Sequence, residues 1–248
     1  MTVVSSSRAP SRLPPVDAHI VAEGSGYEII DGRLVAVPPA HEPHGERHSK
    51  LNALLEAFVG DAHNVACDML TRVSEASDIA PDASVYPIAR DPETGRRQLE
   101  VLAFQVVVTE TLARAAEKAA LLAGRGVRRV FAVDVERQRA LEWSSETSGW
   151  QVLPDAGTIE DEVFVAPLPV HALVKASKAD NAIAAALLAK RNPVLLAAQA
   201  ESRSEGLEEG RARGLEEGAR CGLLAVLHAR GLPITAAEQA RIEACRDE

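Results

Sequence analysis

Asp82, Gln105 and Lys118, with Glu28 as a fourth member, are the residues of this sequence whose types and order suit metal-assisted phosphodiester hydrolysis. Asp82 follows Pro81 in an apolar stretch, Gln105 sits in the next one, and Lys118 comes shortly after. Each part has a physical reason. Oxygen donors on adjacent strands hold a hard cation such as Mg²⁺, which polarises a phosphate oxygen and acidifies a water. An ammonium close by offsets the charge that builds on the phosphate. Each residue also has a plainer reading. Asp82 fits an ordinary turn acid, Glu28 an exposed hairpin acid and Lys118 a solvated helix lysine, and the Pro-Asp spacing alone recurs by chance. Lysine is scarce, however, with only Lys50, Lys118, Lys175, Lys178 and Lys190 in the chain, so Lys118 stands out. His41, His44 and His48 precede or open a helix; His44 and His48 at i and i+4 imitate a zinc pair, yet the sequence offers no third ligand.

The elements that must position these groups read as α/β. Tyr27 to Val35 has apolar runs either side of Asp31-Gly32, a turn pair that tolerates positive φ, and predicts a β-hairpin closed off by Pro38 and Pro39. From His44 to Val59, Leu51, Leu54, Leu55 and Phe58 recur at helical spacing. Asn64–Arg72 and Ile79–Ile88 read as strands, the second carrying Pro81, which favours an edge or a strand start. Leu99–Val108 is almost unbroken apolar sequence, as in a central strand covered on both faces. A helix capped by Thr109 or Thr111 and ended by Gly124 or Gly126 then leads to a strand over Val130–Val135, forming a βαβ unit with parallel strands. Leu141–Trp143 and Gly149–Leu153 suggest a hairpin, with Trp143 and Trp150 as packing residues. Val170–Leu188 reads as a single Ala-rich helix.

These blocks together resemble a known family. YEIIDGRLV, PPAHEPHGERHSKLNALLEAF, IAPDASVY and LAFQVVVTETLARAAEKAALLAGRGVRRVFAVD, over about residues 20 to 155, look like the Uma-type restriction-endonuclease family of the PD-(D/E)XK nuclease superfamily. The resemblance implies a restriction-endonuclease-like core, a mixed central sheet flanked by helices, with Mg²⁺ or Mn²⁺ as cofactor and DNA as partner. It maps an early family Glu onto Glu28, the Pro-Asp onto Pro81-Asp82, and a helix-start histidine onto His44, or else His48. It also implies metal ligands at Asp82, Gln105 and Glu28, and a displaced lysine at Lys118. The family's central Glu falls on Gln105, and its following Ser-Pro-Ser turn is lost. An amide oxygen ligates without charge, so this replacement weakens the hold on Mg²⁺. Glu100 and Glu110 are the nearest acids able to compensate. Strand alternation sets Glu100 on the face opposite Gln105, whereas Glu110, at the strand end, can bend inward.

Composition bounds the rest. The chain has 248 residues, 46% hydrophobic, with a formal charge of −9. Bulk coating of nucleic acid is disfavoured by that charge, since phosphate binding relies on Lys and Arg. A local groove is not, and Arg125, Arg128 and Arg129, with Arg137 and Arg139, form one concentrated basic set that either meets a DNA backbone or pairs with Asp134 and Glu136. Cys67, Cys221 and Cys245 are too scattered for a disulfide framework or zinc site. No apolar run reaches membrane-spanning length and no signal peptide is evident, so a cytoplasmic location without membrane contact is expected. The expected organisation is a mobile leader over 1–16, a nuclease domain over 17–191 and a charged helical tail over 192–248. In that tail GLEEG recurs at 206–210 and 214–218, placing glycines every fourth residue from Gly206 to Gly222. Glycine costs about 1 kcal/mol within a helix, so a loosely helical connector is expected ahead of a dimer stripe. A short apolar segment, Leu223–Leu232, reads as a helical hairpin with 236–244. Two functions follow: a metal-dependent DNA endonuclease with activity weakened by Gln105, or an inactive nuclease fold kept as a DNA-binding or protein-interaction module, with homodimerisation through either domain as a further option.

Overall fold

Asp31 and Gly32, at φ 49° and 76°, turn the chain between β1 (Tyr27–Ile30) and β2 (Arg33–Ala36). Both residues are left-handed, which is what a two-residue hairpin requires to match the strand twist. The computed structural model describes residues 27–36, 42–108 and 111–245. The expectations for the leader, Pro38, Pro39, His41, Thr109 and Glu110 lie outside them. α1 (Glu42–Phe58) buries Leu51, Leu54, Leu55 and Phe58, the stripe read from the sequence.

The expected strand from Asn64 to Arg72 divides. β3 (His63–Ala66) and β4 (Thr71–Ser74) belong to different sheets, separated by a turn in which Asp68 has φ 49°. The Pro81 segment divides as well. β5 (Ser77–Ile79) pairs with β1 and β4, whereas β6 (Ala83–Pro87) pairs with β3. Proline has no N–H to offer a ladder, so Ala80-Pro81-Asp82 is where the chain passes from one sheet to the other.

β7 (Leu102–Val107) is buried at every position, and α2 (Leu112–Arg125) crosses over to β8 (Arg129–Asp134), parallel to β7. Thr111 caps α2 by accepting the Arg114 N–H, and Gly126 ends it at φ 117°. β9 (Arg139–Ser144) and β10 (Gly149–Val152) complete a six-stranded mixed sheet in the order β10-β9-β8-β7-β6-β3, beside a four-stranded sheet β2-β1-β5-β4. The rings of Trp143 and Trp150 meet edge to face at 5.4 Å, and the Trp150 indole donates to Leu112 O at the start of α2. A two-stranded ribbon, β11 (Thr158–Ile159) with β12 (Leu168–Pro169), precedes the last helices of this unit.

The Ala-rich segment forms two helices, α3 (Val170–Val174) and α4 (Ala176–Ala189). The single helix expected there is broken at Lys175, whose extended backbone (φ −108°, ψ 106°) interrupts it while its ammonium pairs with Asp155. On one face of the large sheet, α1, α3 and α4 pack over Leu102, Phe104, Val106, Phe131 and Val133. On the other, Ala115, Ala119 and Leu122 of α2 cover Ala103, Val107, Val130 and Ala132. β7 is therefore sandwiched, as its unbroken apolar run requires.

By its contacts the chain divides into two compact units, Met1–Lys190 and Arg191–Glu248. The second consists of α5 (Pro193–Ala229), one helix of 37 residues, and α6 (Ala236–Ala244). The apolar segment expected to form a hairpin begins inside α5 and reaches the turn at Gly231. α5 starts well, with Asn192 accepting from the N–H groups of Val194 and Leu195 and proline in its first turn. Its glycines face open space.

Candidate functional site

Helical spacing places His44, in the first turn of α1, one turn before His48, and their ring centroids lie 5.9 Å apart in an edge-to-face arrangement. Both imidazoles reach the chain where it changes sheets. His44 Nε2 lies 2.8 Å from Asp82 Oδ1, and His48 Nε2 contacts the main-chain carbonyl oxygen of Asp82. Donor atoms of His44, His48 and Asp82 all lie within 4.8 Å of one another. The third partner that the histidine pair lacks in the sequence is thus Asp82.

Asp82 is held from the sheet side too. The last paired residues of β6 and β7 are Ala83 and Phe104, so Asp82 stands one position further on, opposite Gln105. Its Oδ2 accepts the Val106 N–H at 2.7 Å, satisfying a backbone donor that the departing strand leaves behind. Gln105 projects from the α2 face of β7, between Ala103 and Val107. It is 2% exposed, and neither its Oε1 nor its Nε2 has a hydrogen-bond partner. An orphaned buried amide costs about 1–3 kcal/mol, which makes it an anomaly that a bound ion or water would remove.

Glu28 and Lys118 find each other. Glu28 Oε2 lies 2.9 Å from Lys118 Nζ, and Oε1 accepts the Ala80 N–H at 3.0 Å, two residues before Asp82. Both side chains are withdrawn from solvent, so the exposed-acid and solvated-lysine readings are replaced by a buried ion pair joining β1 to α2. Glu100 points elsewhere: it is buried against Arg97 at 3.1 Å.

One acid escaped the sequence reading. Asp68, in the turn after β3, has Oδ1 3.9 Å from His48 Nε2. Desolvation raises its carboxyl above the ordinary range; His48 and His44 pull it down while Asp82 and Glu28 push it up. The neighbouring Cys67 thiol is also raised, by burial and then by Asp68, Glu56 and Asp82, so it is no activated nucleophile. Asp68 carried no local signal, because its proximity comes only from the turn between two sheets.

The arginines stand apart. Arg129 pairs with Glu142 at 2.6 Å and Asp161 at 3.1 Å, and lies over the Phe131 ring. Arg128 reaches Asp161 at 2.7 Å and Glu162 at 3.3 Å. Arg129 is opposite Leu102, whereas Gln105 is opposite Ala132, so the strand register separates the two places by about 10 Å along β8. Arg137 and Arg139 pair with Asp134. Arg125 donates to Arg72 O from the end of α2.

A family model described as "Putative restriction endonuclease", Uma2, matches residues 13–168. The chain belongs to the Uma2 family. No curated protein matches this Uma2 chain. Among solved structures it is similar to a protein from Anabaena variabilis, titled a putative nuclease belonging to DUF820, with TM-score 0.52 and 14% identity over 62% of this chain and 93% of that one. That likeness establishes the restriction-endonuclease-like fold expected from the sequence. Among the described residues, no helix is long and apolar enough to cross a membrane.

Proposed function

We propose that this Uma2 chain hydrolyses DNA phosphodiester bonds with a divalent cation held at Asp82. The observation that carries the reading is the junction itself: one carboxylate, fixed by α1 and by the Val106 N–H, opposite a buried amide with no partner. Oxygen and imidazole donors of this kind suit a divalent metal. Asp82 and Gln105 would hold the cation, with Glu28 acting at one remove. When bound, it polarises a phosphate oxygen and acidifies a water.

The chain's own groups do the rest. His44 and the Val106 N–H hold the Asp82 carboxylate at the junction before any ligand arrives. Lys118, paired with Glu28 beside the Ala80-Pro81-Asp82 passage, supplies the ammonium that meets the negative charge growing on the phosphate as water adds and the P–O bond to the leaving sugar breaks. Arg125 lies two turns after Lys118 on the same face of α2, and we assign to it the adjoining DNA backbone. Arg128 and Arg129, spent on Asp161 and Glu142, are left out of that role.

Nicking of supercoiled plasmid with Mg²⁺ or Mn²⁺ tests this. The natural chain should nick, Asp82→Ala should lose at least roughly 100-fold, as expected when a residue essential to the step is removed, and Gln105→Glu should gain. Equal activity of the natural chain and Gln105→Glu would remove Gln105 from the metal. The uncharged amide favours a second reading, an inactive fold retained for binding; there the natural chain binds DNA without nicking under either cation.

A further inference from the structure

We propose that the cation site is imidazole-rich, formed by His44, His48 and Asp82 with Asp68 as fourth donor, and that it takes a transition metal of the Mn²⁺ to Zn²⁺ series in preference to Mg²⁺. The inference deepens the reading above and rests on it for the place of the metal.

Donor chemistry discriminates between cations. Mg²⁺ is hard, holds its waters, and is retained by oxygen and negative charge. Here one expected carboxylate is the neutral Gln105, and Glu28 is spent on Lys118. What remains around Asp82 is nitrogen. His44 and His48, fixed at i and i+4 on α1, each bring a ring nitrogen within 4.8 Å of the Asp82 carboxylate, His44 through Nε2 at 2.8 Å. Two imidazoles and a carboxylate on one side of a cation form a set suited to Mn²⁺, Fe²⁺, Co²⁺ or Zn²⁺. Asp68 Oδ1, 3.9 Å from His48 Nε2, supplies a second charge from the turn after β3 and offsets the one lost at Gln105. In their present contacts both Nε2 atoms donate to Asp82 oxygens; on binding the ring hydrogen moves to Nδ1 by exchange with solvent, which frees each Nε2 lone pair for the cation. The lone pairs that then face the cation are directed, so affinity no longer depends on a full complement of carboxylates.

The test is direct binding by the full chain, followed by the visible absorption of Co²⁺, which strengthens when a low-symmetry nitrogen and oxygen set replaces water. The natural chain should bind one Co²⁺, release it to Zn²⁺, and keep it in a roughly 100-fold excess of Mg²⁺. His48→Ala, and His48→Gln as a less disruptive partner, should weaken Co²⁺ binding roughly 10- to 100-fold or more, since even loss of a residue behind a ligand does that much. Asp68→Asn should weaken it less, and circular dichroism of each variant establishes that it is folded. Displacement by equimolar Mg²⁺, an unchanged affinity in folded His48→Gln, or no Co²⁺ band in the natural chain overturns the proposal. The two readings fail separately. Histidine-dependent Co²⁺ binding without nicking by any cation sinks the nuclease and leaves the site, whereas nicking supported by Mg²⁺ with Co²⁺ affinity indifferent to His48 sinks the site and leaves the nuclease.

Discussion

Glu28 and Lys118 leave solvent together, and neither is stable there alone. Removing one member of a buried pair strands the other charge, so Lys118→Met should lower unfolding stability in urea by roughly 3 kcal/mol, with Glu28→Gln added in the double variant recovering part of it. Gln105 has the opposite signature. Its amide is buried without hydrogen-bond partners, a local fault for which the proposed metal-binding role would be the compensating gain. Gln105→Leu fills nearly the same volume and removes both orphaned atoms. It should therefore raise stability by about 1–2 kcal/mol in the metal-free chain while abolishing any nicking. A loss of stability in that variant would mean that the amide already has its partners in water.

At the scale of elements, the βαβ unit from β7 to β8 is the frame, and the ion pairs behind it lock β8 to the segment before β12. Asp161 is the centre of that lock, accepting from Arg128, Arg129 and the Val163 N–H. Burial alone would raise its carboxyl, but these donors outweigh it and hold it below the ordinary range. A depressed folded value means that the folded state prefers the charged form. The stabilisation is then full above an unfolded value near pH ~3.9 and lost as pH falls below it. Asp161→Asn should melt below the natural chain at neutral pH, and the gap should close as pH is lowered from about 4 toward 2. A gap that stays constant over that range would assign the loss to packing. The core of the unit is as demanding: Phe104 and Phe131 stack with centroids 4.9 Å apart, and Phe104→Ala should cost about 3–5 kcal/mol in the same unfolding measurement.

At the scale of the whole molecule, the two units obey different physics. The first buries a continuous core on both faces of its large sheet. The long helix of the second buries no residue of its own, and its glycines each cost about 1 kcal/mol of helix stability. A chain ending at Lys190 should therefore unfold cooperatively with a midpoint close to that of the full protein. A peptide spanning 191–248 should show far-UV ellipticity well below that of α5 fully formed, and independent of concentration. Ellipticity that climbs with concentration would instead show self-association through the glycine-spaced face.

Much of this protein was legible in its residues because the relevant signals are local. Asp31-Gly32 dictates a left-handed turn, the leucine spacing of α1 dictates its buried face, Thr111 and Gly126 bound α2, and the apolar run of β7 demands cover on both sides. Each is a property of a few neighbouring residues and their own backbone. Local signals do not mark the places where a strand or helix is interrupted by distant contacts: the split of β3 from β4, the passage between sheets through Pro81, and Lys175. The candidate site belongs mostly to that second class. The sequence named Asp82, Gln105, Lys118, Glu28 and the histidines partly because scarce or chemically apt residue types announce themselves, and partly because the family resemblance maps onto them. Only the tertiary structure decided that Glu28 pairs with Lys118, that Asp82 completes the His44 and His48 set, and that Asp68 lies beside them while Arg128 and Arg129 pair with other acids. Pairings between residues so far apart in the chain depend on which sheet each strand joins, and that choice is made by the packing of the whole core.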